Sequence, residues 1–159
     1  MIDNPRIIRT AAQETAVIRL TIPRREMCDV MGPAIREVLD TVIAQGVTPG
    51  GPVFAHHFVL DPEIFDFEVG IPVANPISPV GRVQPGKLAP AQVARTVYRG
   101  PYDGLPAAWQ ELEAWIAGRG HVPAGPFREV YISGPERSAD PAHWRTELNR
   151  ELLEGEGER

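Results

Sequence analysis

Two stretches of this chain share one pattern of glycines and prolines. Gly46-Val47-Thr48-Pro49-Gly50-Gly51-Pro52-Val53 lies over Gly120-His121-Val122-Pro123-Ala124-Gly125-Pro126-Phe127 at an offset of 74 residues, with Gly, Pro, Gly and Pro matched. The same offset puts Val42 on Ile116, Ala55 on Glu129 and His57 on Tyr131. A unit of this length present twice is a supersecondary motif that buries its apolar face against its twin. The fold is therefore expected to contain the same motif twice.

The residues between these landmarks predict what the motif is. Arg6 to Ile22 is rich in Ile, Val and Thr and breaks at Ala11 to Glu14, which predicts one N-terminal strand with a bulge or kink, ended by Pro23. Between Asp29 and Gln45, Ile35, Val38, Leu39, Val42 and Ile43 recur at helical spacing, and Gly46 supplies the stop. PVFAHHF and FDFEVGIPV then predict two strands, the second by its alternation of Phe65, Phe67 and Val69 with Asp66 and Glu68. Ala74 to Pro90, dotted with Pro and Gly, reads as a connector. After it the order restarts. QVARTVYRG reads as a strand; Leu105, Trp109, Leu112, Trp115 and Ile116 form a helical stripe closed by Gly118 and Gly120; FREVYIS is a strand bounded by Gly134 and Pro135.

Each half thus reads as strand, helix, strand, strand, with pseudo-repeats at about 6–73 and 90–149 inside one domain spanning 1–149. Short strands joined by tight Pro-Gly turns leave the helix as the one crossover in each half. The expected fold class is α+β: duplicated βαββ units, an antiparallel-dominated sheet with two helices on one face, and a central groove about a pseudo-twofold.

Composition excludes several functions. At 159 residues, 43% hydrophobic and 23% charged, the chain has room for one core and is not of disordered composition. Of the net charge of −5, the last nine residues, ELLEGEGER, carry −3, so 150–159 reads as a flexible acidic tail. Sixteen Lys and Arg spread singly among 21 Asp and Glu form no basic stripe, which argues against nucleic acid as a partner. Cys28 stands alone, without a disulfide or metal partner of its own kind. The charged N-terminus and the lack of a long apolar run predict no signal peptide, no membrane association and a cytoplasmic protein, as a monomer or weak homodimer.

Chemistry-bearing residues concentrate in the second half. On a strand, Glu129 shares a face with Phe127 and Tyr131, while Arg128, Val130 and Ile132 point the other way. If Val130 and Ile132 pack on the helices, Glu129 looks into the groove, where a desolvated carboxylate attracts a cation and has a raised pKa. The alternative is a structural ion pair with an arginine such as Arg145. Tyr102 and Trp144 offer flat apolar surface for an aromatic ligand, or ordinary burial. Phe65 and Phe67 face one side together and either close the groove or fill the core. Trp109 and Trp115 lie six apart, so at least one belongs to the core. His56 and His57 point to opposite faces and cannot share a metal, and His57 takes the groove side. His121 and His143 have no partner at ligand spacing. No metal or cofactor is expected, and nucleophile-elbow and phosphate-loop motifs are absent.

FDFEVGIPV (65–73), GPYDGL (100–105), FREVYISGP (127–135) and HWRTEL (143–148) resemble the signature segments of the gyrase-inhibitor-like small-molecule-binding family, which includes effector-binding domains of AraC-type and multidrug-responsive regulators. The resemblance runs from about Arg6 to Leu148. It implies a central groove that holds apolar, often cationic, aromatic compounds. It also implies Glu129 as the acidic residue meeting the ligand's charge, with Tyr131, Tyr102 and Trp144 as walls; beside it, the reading of the residues themselves adds Phe65, Phe67, His57 and Trp109 as ligand-binding candidates. The family's regulators carry a helix-turn-helix segment before this domain, whereas here the pattern starts within ten residues, which implies a stand-alone sensor, carrier or sequestering protein. One branch hydrolyses strained cyclopropane rings without a cofactor, which makes Glu129 and Tyr102 the catalytic candidates of an enzyme alternative. A protein-interaction or inhibitor module is the third possibility.

Overall fold

In the computed structural model, which describes residues 2–59, 61–135 and 137–154, both helices end in the same way. The chain runs β1 (Arg6–Arg9), β2 (Gln13–Pro23), α1 (Met27–Ala44), β3 (Phe54–His57), β4 (Ile64–Pro72), β5 (Gln84–Leu88), β6 (Gln92–Arg99), α2 (Leu105–Gly118), β7 (Pro123–Ser133) and β8 (Arg145–Leu152). After α1 the Val47 N–H donates to Val42 O at 3.2 Å, and after α2 the His121 N–H donates to Ile116 O at 3.1 Å. Gly46 (φ 69°) and Gly120 (φ 77°) adopt the left-handed conformation that lets the chain turn back on the helix, one that residues with a Cβ resist. The carbonyls used, Val42 and Ile116, are equivalent in the sequence repeat.

The chain forms two compact units, one holding residues 11–90 and the other the residues before 11 and after 90. In the first, β2, α1, β3 and β4 form the βαββ motif, and β5 returns to pair with β2, giving the strand order β3-β4-β2-β5. In the second, β6, α2, β7 and β8 form the motif, and β1 adds to β6, giving β1-β6-β8-β7. All of these pairings are antiparallel. The fold is α+β with a duplicated βαββ unit.

Three expectations change. The N-terminal run is two strands in different units: Ile8 of β1 lies opposite Val93, whereas Ile18 of β2 lies opposite Val69. The connector contains β5, whose QPGKL sequence has no alternation to reveal it. Its Gly86 sits against Thr15, where a Cβ would come within 2.7 Å of the Thr15 hydroxyl oxygen. The expected tail begins too early, because β8 continues to Leu152 and buries Arg150 and Leu152; residues 155–159 lie outside the described residues.

The core of the second unit positions the site. Ala94 and Tyr98 of β6 and Leu148 and Leu152 of β8 pack with Leu105, Ala108, Leu112 and Ile116 of α2. Burying each of the larger side chains stabilises by roughly 1.5–3 kcal/mol. Leu148 pairs with Glu129 and Thr146 with Tyr131, so Glu129 and Tyr131 project from the face on which α2 packs. Val130 and Ile132 therefore do not pack on the helix, contrary to the condition stated above. The opposite face holds a polar network instead: Arg95 Nε donates to Asn149 Oδ1 at 2.7 Å and lies 3.4 Å from Glu147. Arg128 pairs in register with Asn149, beside that network.

Candidate functional site

Glu129 reaches up from β7 toward α2 and is held at both oxygens. The indole Nε1–H of Trp109, on α2, donates to Oε2 at 2.8 Å, and the Tyr131 hydroxyl, two residues along β7, donates to Oε1 at 2.8 Å. Both donors are neutral. Burial raises the Glu129 pKa above the ordinary carboxylate value, opposed by these two hydrogen bonds. The Tyr131 phenol is pushed well above its ordinary value, first by burial and then by the adjacent carboxylate. Even so, both residues keep some solvent exposure.

No arginine among the described residues is recorded in an ion pair with Glu129. Arg150, on the same face of β8, lies 2.9 Å from Glu113 of α2, and its Nη1 donates to Gly125 O at 2.9 Å. Arg128 is on the other face, and Arg145 is exposed opposite Ser133. The hydrogen bonds that oppose the rise in the Glu129 pKa come from Trp109 and Tyr131.

Aromatic rings continue from this carboxylate. Tyr102 meets Tyr131 edge to face at 5.8 Å and Trp144 at 4.9 Å between centroids, and Trp109 meets Phe127 at 5.1 Å. Local structure holds each ring in place. Tyr102 opens a short 3-10 turn, Tyr102–Gly104, ahead of α2, pinned by the Tyr98 hydroxyl donating to Pro101 O at 2.8 Å. Trp144 follows a second 3-10 turn, Pro141–His143, capped by Asp140, whose carboxylate accepts from the Ala142 N–H. Its own Nε1–H donates to Ser138 O at 2.9 Å, and its carbonyl accepts from Gly100 N at 2.9 Å. Trp144 thus stands just before β8 rather than on it. Trp109 and Trp115 are both half-buried against the core.

The remaining candidates gather in the first unit. His57 is stacked on Phe67 at 5.1 Å and meets Phe65 edge on at 5.2 Å. Phe67 is fully buried, His57 nearly so, and Phe65 keeps partial exposure. Burial, reinforced by His56 and Arg24, lowers the His57 pKa to about 4, so this imidazole is neutral at physiological pH. At the repeat offset, Ala55 and His57 stand where the second unit has Glu129 and Tyr131, so the carboxylate belongs to one copy alone. Among the described residues no group of His, Cys, Asp and Glu is placed to hold a metal, and no helix is long and apolar enough to cross a membrane. Thr146, fully buried and paired in register with Tyr131, carries no signal in the sequence, because nothing marks one threonine on a strand as special before the register is known.

No curated protein sequence matches the chain. Among solved structures it is similar to the C-terminal domain of EcmrR, with a TM-score of 0.85 at 19% identity, covering 96% of this chain and 98% of that one. It spans 58% of the EcmrR chain in the EcmrR–DNA complex, at 20% identity and a TM-score of 0.82. It is also similar to SAV2435 bound to tetraphenylphosphonium (TM-score 0.66, 13% identity, covering 99% of this chain and 100% of that one). A hydrolase encoded by lin2189 from Listeria innocua has a TM-score of 0.62 at 12% identity, covering 94% of this chain and 91% of that one. At these identities the likeness is one of fold. The family model of the GyrI-like small molecule binding domain matches residues 3–149, and the chain belongs to that family.

Proposed function

We propose that the chain binds an aromatic cation at Glu129, with Tyr102, Tyr131 and Trp144 as the surrounding rings. The observation that carries this reading is a carboxylate raised by burial, oriented at both oxygens by neutral donors, and without a cationic partner among the described residues. An unneutralised carboxylate in such surroundings is stabilised by an incoming positive charge. Aromatic faces add about 0.5–2 kcal/mol each to a desolvated cation. SAV2435, similar in fold, was solved with a cation of this class, tetraphenylphosphonium.

The test compares tetraphenylphosphonium with neutral triphenylphosphine oxide by calorimetry. Removing one partner of a buried charge pair costs about 3 kcal/mol or more, so Glu129→Gln is expected to weaken the cation roughly 100-fold and the oxide less than ~2-fold. An equal loss for both compounds would make Glu129 a structural residue and sink the reading.

A second reading, turnover, draws on the Tyr131 hydroxyl donating to the raised carboxylate, a pair able to hand a proton to a leaving group and take one from water. Acid–base help of about 10²–10⁴-fold suffices only for a substrate primed by strain, such as a cyclopropane electrophile whose ring carbon bond breaks as water forms the new C–O bond. Multiple turnovers lost in Glu129→Gln would favour this reading. Stoichiometric binding without turnover would reject it.

A further inference from the structure

Thr146 carries the one fully buried residue's hydroxyl that makes no hydrogen bond among the described residues. It lies on β8 between two tyrosines, opposite Tyr98 of β6 on one side and Tyr131 of β7 on the other. Tyr102 meets Tyr131, and Trp144, two residues before Thr146, meets Tyr102, so Thr146 lies beside the aromatic cluster both in sheet register and in sequence. Buried hydroxyls are almost always partnered, and an orphan calls for a specific explanation, a ligand contact among them. Valine has the same shape and the same preference for a strand, and it would leave no polar atom unpaired. A threonine here conflicts with packing alone, as residues at functional sites do.

Glu129 pairs with Leu148 and Tyr131 with Thr146, so Glu129 and Thr146 are diagonal neighbours across β7 and β8 on one face, with Cβ atoms about 7 Å apart. We infer that Thr146 is the second polar contact of the site: its hydroxyl pairs with a hydroxyl group of an aryl-alkylammonium ligand whose charged end lies at Glu129. This rests on the cation-binding reading and narrows its ligand class to compounds with a hydrogen-bonding group a short tether away from the positive centre. Such a ligand displaces one of the half-buried rings, Tyr102 or Trp144, to reach the hydroxyl, a side-chain movement common on binding.

The probes are 4-hydroxyphenethylamine and phenethylamine, which differ by the hydroxyl alone, each competed against tetraphenylphosphonium. The wild-type chain is expected to bind the phenol about 10-fold more tightly, the worth of one satisfied hydrogen bond. Thr146→Val removes this preference, so that the two amines bind alike, while Thr146→Ser, which keeps the hydroxyl, retains it. The same ratio in wild type and Thr146→Val overturns the assignment, as does a raised melting temperature in Thr146→Val with neither affinity changed. The tetraphenylphosphonium signal separates the two levels of the argument. If Glu129→Gln weakens that cation but the amines bind alike in wild type, Thr146 alone is misassigned; if Glu129→Gln leaves the cation unaffected, the parent reading and the inference built on it both fall.

Discussion

The Trp109 indole N–H and the Glu129 carboxylate, twenty residues apart, meet at 2.8 Å and tie α2 to β7 through a bond that lowers the carboxyl's pKa against the rise caused by burial. If Glu129 meets a ligand as proposed, the same contact links folding to ligand binding, because the bond that holds the helix on the sheet also favours the charged carboxylate. Trp109→Phe keeps an aromatic ring beside Phe127 and removes the donor. A hydrogen bond to a charged group is worth about 1.5–3 kcal/mol. The variant is therefore expected to melt lower than wild type, and its affinity for tetraphenylphosphonium should be restored only at higher pH. An affinity–pH curve that coincides with that of wild type would contradict this role.

On the proposed reading, the raised Glu129 pKa makes cation binding pH-dependent. A cation competes with the proton, so tetraphenylphosphonium affinity rises about 10-fold per pH unit below the folded pKa and levels off above it. Stability runs the other way in the unliganded chain. A carboxyl whose folded pKa lies above its unfolded value contributes stability that is fully present below the unfolded value and lost as pH rises through the folded one. Melting curves of wild type against Glu129→Gln should show wild type losing ground as pH rises, and added cation should restore it. Parallel pH profiles for the two proteins would count against a raised pKa.

His57 has the opposite sign. Its folded pKa of about 4 lies below the ordinary value of 6.5, so the unfolded chain takes up the proton first as pH falls. Stability falls as pH drops from about 6.5 to about 4, by about 3 kcal/mol if no other group compensates. In His57→Gln this part of the slope should vanish, as read from urea midpoints at pH 7 and pH 4.5. An unchanged slope would place the acid sensitivity in other groups.

Gly104 lies where the turn before α2 presses on the Tyr98 hydroxyl. A Cβ there would collide with that hydroxyl, which donates to Pro101 O at 2.8 Å. Gly104→Ala is expected to cost about 1–3 kcal/mol through overpacking, and to weaken cation binding because the turn carries Tyr102. Tyr98→Phe, which loses the hydrogen bond without a clash, should cost nearer 1 kcal/mol. Thermal melts of both variants check the order, and a Gly104→Ala protein as stable as wild type would show that the turn yields.

The features legible in the sequence are those that depend on near neighbours. The repeat at an offset of 74, the glycines that stop both helices, and the alternation placing Phe127, Glu129 and Tyr131 on one face all rest on spacing within a few residues. The grouping of Tyr102, Tyr131 and Trp144 came through the family resemblance, since nothing in their spacing brings residues 102 and 144 together. Tertiary structure decided which way the face of β7 turns. Local alternation sorts side chains into two faces without saying which one meets the helix, whereas pairing with β8 puts Glu129 beside Leu148 and under Trp109. It also decided the partners of β1 and β5, because strand pairing is a contact between distant segments and QPGKL has no pattern of its own. Thr146 is the sharpest instance. The sheet sets a tyrosine on either side of it, and neither is near it in sequence.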